Sequence, residues 1–196
     1  MKAVYPRGVD AAEISVKLTE DGRVEGVRFL ASPNADGRPP GEAITLLVVH
    51  NISLPPGAFG GDAVLRLFTN ALDPSEDPYF AALAATRVSA HFLVRRSGEI
   101  VQFVPCASRA WHAGVSHWEG RERCNDFSIG VELEGTDVVP YHYAQYRALA
   151  TLISVCRAAY PLGAIVGHCD IAPGRKTDPG PAFDWTLLHA LLARPV

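Results

Sequence analysis

"AITLLVVH", Ala43 to His50, is a run of β-favouring residues in which apolar and polar positions do not alternate. Alternation marks a strand with one wet face. A short unbroken apolar run marks a strand covered on both faces, as in a sheet held between layers of helix. The run stops at His50-Asn51 and enters a turn-rich loop, "ISLPPGAFGG". Farther on, "FSIGVELEG" resumes strand character, and "AIVGH" is a second short apolar strand that ends on a histidine, His168. Helical signals lie between these runs. One helix starts near Asp62, and "DPYFAALAATR" has Asp77 as N-cap with Pro78 at the first helical position. Leu149, Leu152, Ile153 and Cys156 follow helical spacing, which predicts a helix from about His142 to Ala159, stopped by Pro161. A last helix is capped by Asp184 and runs through "WTLLHALLA". Strands and helices interleave, so the pattern predicts an α/β fold with a single mixed β-sheet flanked by α-helices.

Upstream, "EISVKLTEDGRVEGVRFL" reads as a hairpin turning at Asp21-Gly22, followed by the turn-rich "ASPNADGRPPGEA". This predicts an N-terminal β-hairpin extension, residues 1–43, packed on a main domain of residues 44–196. "AHFLVRRSGEIVQFV" reads as a second hairpin, turning near Ser97-Gly98. "PCASRAWHAGVSHWEGRERCND" follows neither period, and its length marks a functional loop.

Composition removes several classes of function. The chain has 196 residues, 48% hydrophobic and 20% charged, which suits one globular domain and not a disordered chain. A net charge of −3 gives no footprint for nucleic acid or anionic lipid. The start, "MKAVYPRGVDAAEIS", shows no secretory signal, and no apolar run is long enough to span a bilayer. The four cysteines, Cys106, Cys124, Cys156 and Cys169, form no C-x-x-C pair, which suits a reducing compartment. The expectation is a cytoplasmic protein with no nucleic-acid or membrane partner.

Both His50 and His168 end strands and lead into irregular loops, where open α/β sheets form their ligand sites. The segment after His168, "GHCDIAPGRKTDPGPAFDW", sets ionisable residues among three prolines and three glycines, so its backbone is stiffened without a helix or strand. Asp178 lies ten residues beyond His168 on that segment. Two imidazoles, one carboxylate and an open fourth position make the ligand set of a catalytic zinc. A single carboxylate leaves such a centre near +1, still a strong Lewis acid. Spacing alone leaves Cys169 and Asp170 as competing ligands, and a strand-end histidine is more often a capping or hydrogen-bonding residue. His91, His112, His117, His142 and His189 take that reading here. Asp178-Pro179 could equally initiate a turn.

"LLVVHNISLPPG", "RVSAHFLVRRSGEIVQFVP", "RAWHAGVSHWEGRERCNDFSIGVELEG" and "GHCDIAPGRKTDPGPAFDW" together resemble the AmpD family, the cytosolic 1,6-anhydro-N-acetylmuramyl-L-alanine amidases of Gram-negative bacteria. The likeness runs from about residue 44 to 188 and leaves the N-terminal hairpin outside it. It implies a fold like that of the peptidoglycan-recognition proteins and a zinc ion held by His50, His168 and Asp178. Relatives of the recognition type carry a cysteine at the position of Asp178, and Cys169 is not at that position. The resemblance also implies Glu132 and Lys176 as catalytic residues of a metal-assisted amide hydrolysis. Glu132 would be the general base and Lys176 a stabiliser of the oxyanion. Its substrate would be a muropeptide fragment recovered during wall recycling, an activity that keeps β-lactamase induction low in such bacteria. For the substrate groove, Trp111 suits a sugar ring, Arg87, Arg123 and Arg175 suit stem-peptide carboxylates, and Asn51 beside His50 suits a polar clamp.

Three rival readings predict different features. A sensor that binds muropeptide without cleaving it usually lacks a zinc ligand. An exported or phage-type amidase predicts a signal or wall-binding repeats. A cysteine hydrolase predicts a reactive Cys169. In "VELEG", strand alternation puts Glu132 and Glu134 on one face about 6.5–7 Å apart, so only one can reach a given water. Glu134, beside Gly135, is expected at a frayed, solvated strand edge.

Overall fold

The computed structural model describes residues 17–193, and the apolar run of Ala43–His50 supplies one of the interior strands of its main sheet. The strands and helices, in chain order, are β1 (Arg28–Phe29), β2 (Ala35–Gly37), β3 (Leu46–Ile52), α1 (Ala63–Phe68), α2 (Pro78–Leu83), β4 (Phe92–Val94), β5 (Ile100–Gln102) and β6 (Ser108–Ala110). They continue with β7 (His117–Trp118), β8 (Arg121–Glu122), β9 (Ser128–Glu134), α3 (Tyr143–Ala159), β10 (Ala164–Gly167), α4 (His168–Ile171) and α5 (Trp185–Leu192). Six strands form one sheet in the order β1-β5-β4-β9-β3-β10. Only β4 and β5 are antiparallel neighbours, joined by the turn at Ser97-Gly98, so the sheet is mixed.

Each face of the sheet has its own cover. Leu47 and Val49 of β3 and Ile129, Val131 and Leu133 of β9 pack with Leu149, Leu152, Ile153 and Cys156 of α3 and Leu188 of α5. Leu46, Val48 and Val166 face the other way, against Phe127 and Ile171, while Leu93 and Val101 meet α1 and α2. Leu46 to Val49 are all fully buried, which is why the run carries no polar alternation. Because side chains alternate, His50 and Glu132 fall on the face of Leu46 and Val48, away from α3. β3, β4, β9 and β10 run parallel, so their C-terminal ends collect at one edge.

The N-terminal region differs from a simple hairpin. Its expected first strand begins at Glu13, and residues 1–16 lie outside the described residues. What remains is the turn at Asp21-Gly22 with a single bridge, Leu18 to Val24, and the second arm pairs elsewhere. Arg28–Phe29 lies parallel to β5 as the edge strand of the main sheet. Ala35–Gly37 pairs with β6. The cause is a contact from β5: Gln102 donates to Gly22 O and accepts from Val24 N, drawing the segment onto that strand. Likewise the loop of residues 105–126 holds three short strands and a 3-10 turn at Cys124–Asp126, too short to show a period in sequence.

Arg38 ties this region to the loop before β9. Its guanidinium donates to Cys106 O, Asn125 O, Asp126 O and Ser128 O, and burial lowers its pKa to about 10. Replacing Arg38 with alanine would strip donors from several inward-facing carbonyls at once. Each lost partner costs about 1–3 kcal/mol, so a net loss of about 3 kcal/mol is expected. Urea unfolding measures it, and a change below about 0.5 kcal/mol would mean that water replaces the guanidinium without loss.

Candidate metal centre and active site

β3, β9 and β10 bring the two histidines and the glutamate together. His50 is opposite Glu132 in the register of β3 with β9, and Gly167, the last residue of β10, is opposite Val49. His168 therefore follows directly beside His50. It opens α4, a single helical turn where the sequence shows only a stiffened loop. Asp170 accepts from Gly167 N at 2.7 Å and starts that turn. Asp178 returns because its carbonyl accepts from Cys169 N at 2.9 Å, with a cis Asp178-Pro179 bond following. Gly180, at φ +79°, lies so close to Asp137 that a Cβ would come within 2.3 Å of its Cα. Glycine alone permits that approach.

His50 Nδ1 and His168 Nδ1 are 2.9 Å apart, and each lies 3.1 Å from Asp178 Oδ2. Tetrahedral zinc, with bonds of about 2.0–2.1 Å, holds its ligands slightly farther apart, about 3.3 Å, so the triangle needs only small expansion. Its chemistry fits as well. His168 Nε2 lies 3.1 Å from Ala113 O, and a carbonyl only accepts, so the proton is on Nε2 and Nδ1 offers a lone pair. Burial, partly offset by the Asp178 carboxylate, lowers the His50 imidazole to about 4, so it is uncharged at neutral pH. Two imidazole nitrogens and a carboxylate oxygen facing one point make a cation site, and the residues fit zinc. Among the described residues these three form the one cluster of metal-type donors.

Glu132 stands on the next strand, buried, and its Oε2 has no hydrogen-bond partner. Desolvation, then the nearby Asp178 charge, pushes its pKa well above the usual carboxylate range, while Lys176 pulls it down. Lys176 is exposed, and its charge acts on both Glu132 and His50. Glu134 departs from its expected place: it is 2% exposed and pinned. It accepts from Gly60 N at 2.6 Å and Arg96 N at 3.0 Å, with Arg95 3.5 Å away. The sheet edge is closed there by the loop after β3, so Glu134 anchors that loop instead of meeting water. Cys169 turns its sulfur toward Asp170, and burial together with that carboxylate raises its pKa, which is the wrong direction for a nucleophile.

The expected substrate residues are spread more widely. A cavity of about 510 Å³ is lined by Gly114, Val115, Ser116, Ile171, Arg123 and Arg175 among others. None of the three metal donors lines it. Arg175 Nη2 donates to Ala113 O and Val115 O, and Arg123 forks onto Asp126 Oδ2 at 2.9 and 2.6 Å. Asn51 spends its amide on Asp137 Oδ1 and Pro179 O, bracing the segment that carries Asp178. Trp111 is half-buried with its backbone held by Ser89, and Arg87 is exposed and bonded to Ala84 O. Neither borders the cavity. Sequence reading missed Asp137 and Asn125, whose contacts cross 86 residues in one case and join neighbouring amides in the other.

Residues 40–181 match the N-acetylmuramoyl-L-alanine amidase family. The chain is 58% identical over 179 residues to the 1,6-anhydro-N-acetylmuramyl-L-alanine amidase AmpD of Escherichia coli K12, covering 90% of this chain and 98% of that one. The crystal structure of a selenomethionine AmpD derivative superposes with a TM-score of 0.87 at 56% identity, over 89% of this chain and 99% of the other. A third likeness is the E. coli amidase AmiD in complex with anhydro-N-acetylmuramic acid-L-Ala-D-γ-Glu-L-Lys. It has a TM-score of 0.55 and 32% identity, over 90% of this chain and 65% of that one.

Proposed function

Because the chain belongs to the N-acetylmuramoyl-L-alanine amidase family, we propose that it hydrolyses the amide joining 1,6-anhydro-N-acetylmuramic acid to L-alanine in muropeptides, in cytoplasmic recycling of the wall. One observation carries the reading. Three metal-type donors lie within 3.1 Å of one another, beside a buried carboxyl, Glu132, whose Oε2 has no hydrogen-bond partner.

His50, His168 and Asp178 would hold the zinc. When bound, it supplies a Lewis acid that polarises the amide carbonyl and brings its water's pKa toward about 7. Glu132 takes the proton of the attacking water and returns it to the departing amine of L-alanine. Burial holds its carboxyl well above the usual carboxylate range, which favours the protonated form that returns the proton to the amine. The Lys176 ammonium faces the charge that develops on the carbonyl oxygen, a contribution of about 10²–10³ in rate for one such donor. Arg123 and Arg175 line the cavity, and the guanidinium N–H groups not spent on Asp126, Ala113 and Val115 supply donors for the carboxylates of the stem peptide.

Mass spectrometry of a soluble anhydromuramyl tripeptide incubated with the protein tests the reading. Free tripeptide and free anhydro sugar are expected, and chelation of zinc should stop their release. Faster release of peptide from insoluble sacculi than from the soluble fragment would reject the recycling role.

A further inference from the structure

His50 offers Nδ1 to the metal cluster only if its proton sits on Nε2, and the surroundings decide that. Cys124 O accepts from Ser128 Oγ at 2.5 Å, so the one hydroxyl proton of Ser128 is spent there. Toward His112 Nε2, 3.2 Å away, Ser128 Oγ is then the acceptor, and His112 carries its proton on Nε2. An uncharged His112 is left with a lone pair on Nδ1, which faces His50 Nε2 at 2.9 Å. His50 Nε2–H donates to it, and His50 Nδ1 is free to ligate.

We propose that His112 is a positioning residue for the metal: its Nδ1 accepts the Nε2–H of His50 and so fixes both the tautomer and the ring plane of that ligand. The fold is arranged around this contact. The His112 ring lies against Gly130 of β9, where a Cβ would come within 2.4 Å of His112 Cγ. The two imidazoles meet edge to face, at 83° with centroids 5.0 Å apart. Asn125 Oδ1 accepts from the N–H groups of both His112 and Ala113, at 3.1 and 2.8 Å. Ala113 O in turn receives His168 Nε2, so the dipeptide His112-Ala113 orients both ligand histidines, one by side chain and one by carbonyl. Metal-bound histidines usually donate to a carboxylate, a carbonyl or water. An imidazole acceptor adds no charge, so a site with one carboxylate keeps a net charge near +1 and its Lewis acidity.

The proposal rests on the zinc reading above and deepens it. Zinc affinity is measured on stripped protein by competition with a chromogenic chelator, a readout independent of turnover. The Asn side chain places an acceptor where Nδ1 stands, whereas Gln reaches only toward Nε2. His112→Gln is therefore expected to weaken zinc binding about 10–100-fold, and His112→Asn by no more than about 3-fold. Equal losses in both, or no loss in either, would overturn the role. Because a buried variant can fail to fold, nitrogen-15 histidine NMR of the zinc-loaded wild type gives a second decision. A His50 proton on Nε2 with scalar coupling across the hydrogen bond to His112 Nδ1 supports the role, and a proton on His50 Nδ1 contradicts it. Wild-type protein that takes up no zinc overturns the zinc reading itself. Tight wild-type binding matched by His112→Gln overturns this inference alone.

Discussion

Glu132→Gln is expected to lower kcat by about 10²–10⁴ while the protein keeps one zinc per chain, the loss typical of removing a general base. The substitution preserves shape and burial and removes only the ability to take a proton. Because Glu132 is not one of the three converging donors, metal content should not change. Stability should move the other way. A buried carboxyl with a raised pKa carries no penalty below its unfolded value, about 4.3, and destabilises the fold progressively as pH rises through the raised value. Zinc-free Glu132→Gln should thus melt above zinc-free wild type at about pH 8, with the gap closing by about pH 4. Glu134→Gln should show the inverse pattern, a loss of stability larger than its loss of rate, because Glu134 holds backbone amides of Gly60 and Arg96. Loss of zinc from Glu132→Gln, or equal rate losses in the two variants, would remove Glu132 from the role of base.

Asp178→Ala should take zinc content from one per chain to near zero and turnover to background. It deletes the only anionic donor and leaves two imidazoles facing each other 2.9 Å apart. The loop itself should survive, since its tie to Cys169 runs through the Asp178 carbonyl and not the carboxylate. Bound zinc stabilises the native state by mass action, so a chelator should lower the Tm of wild type and leave Asp178→Ala unmoved. Cys169→Ala should keep its metal. Should Asp178→Ala retain full zinc while Cys169→Ala loses it, the ligand set is wrong.

The sheet was legible because its central strands carry their burial in sequence: Leu46 to Val49 has no polar position, and Pro78 and Asp184 announce helix starts. The two strand-end histidines were visible for the same reason, though their shared identity as donors needed the family resemblance. What stayed hidden depends on contacts between distant segments. Arg28–Phe29 joins β5 through Gln102, a residue nothing in the local pattern singles out. The burial of Glu134 depends on Gly60, 74 positions away. His112 reads as one more hydrogen-bonding histidine, and only the direction of its bonds, set from Cys124 O, distinguishes it.

The in-register pairing of His50 with Glu132 has an evolutionary corollary. The proposed ligand and the proposed base are separated by one interstrand step of about 4.8 Å, a spacing that every β-sheet inherits and no loop can alter. Arg123 and Arg175, by contrast, hang from irregular segments that can lengthen or change without disturbing the ladder. On the proposed roles, reactivity and selectivity are encoded in separable parts of the chain. Descendants of this scaffold can drift toward new peptides while their chemistry stays fixed, and a strand slip of one residue would silence the protein whatever its loops recognise.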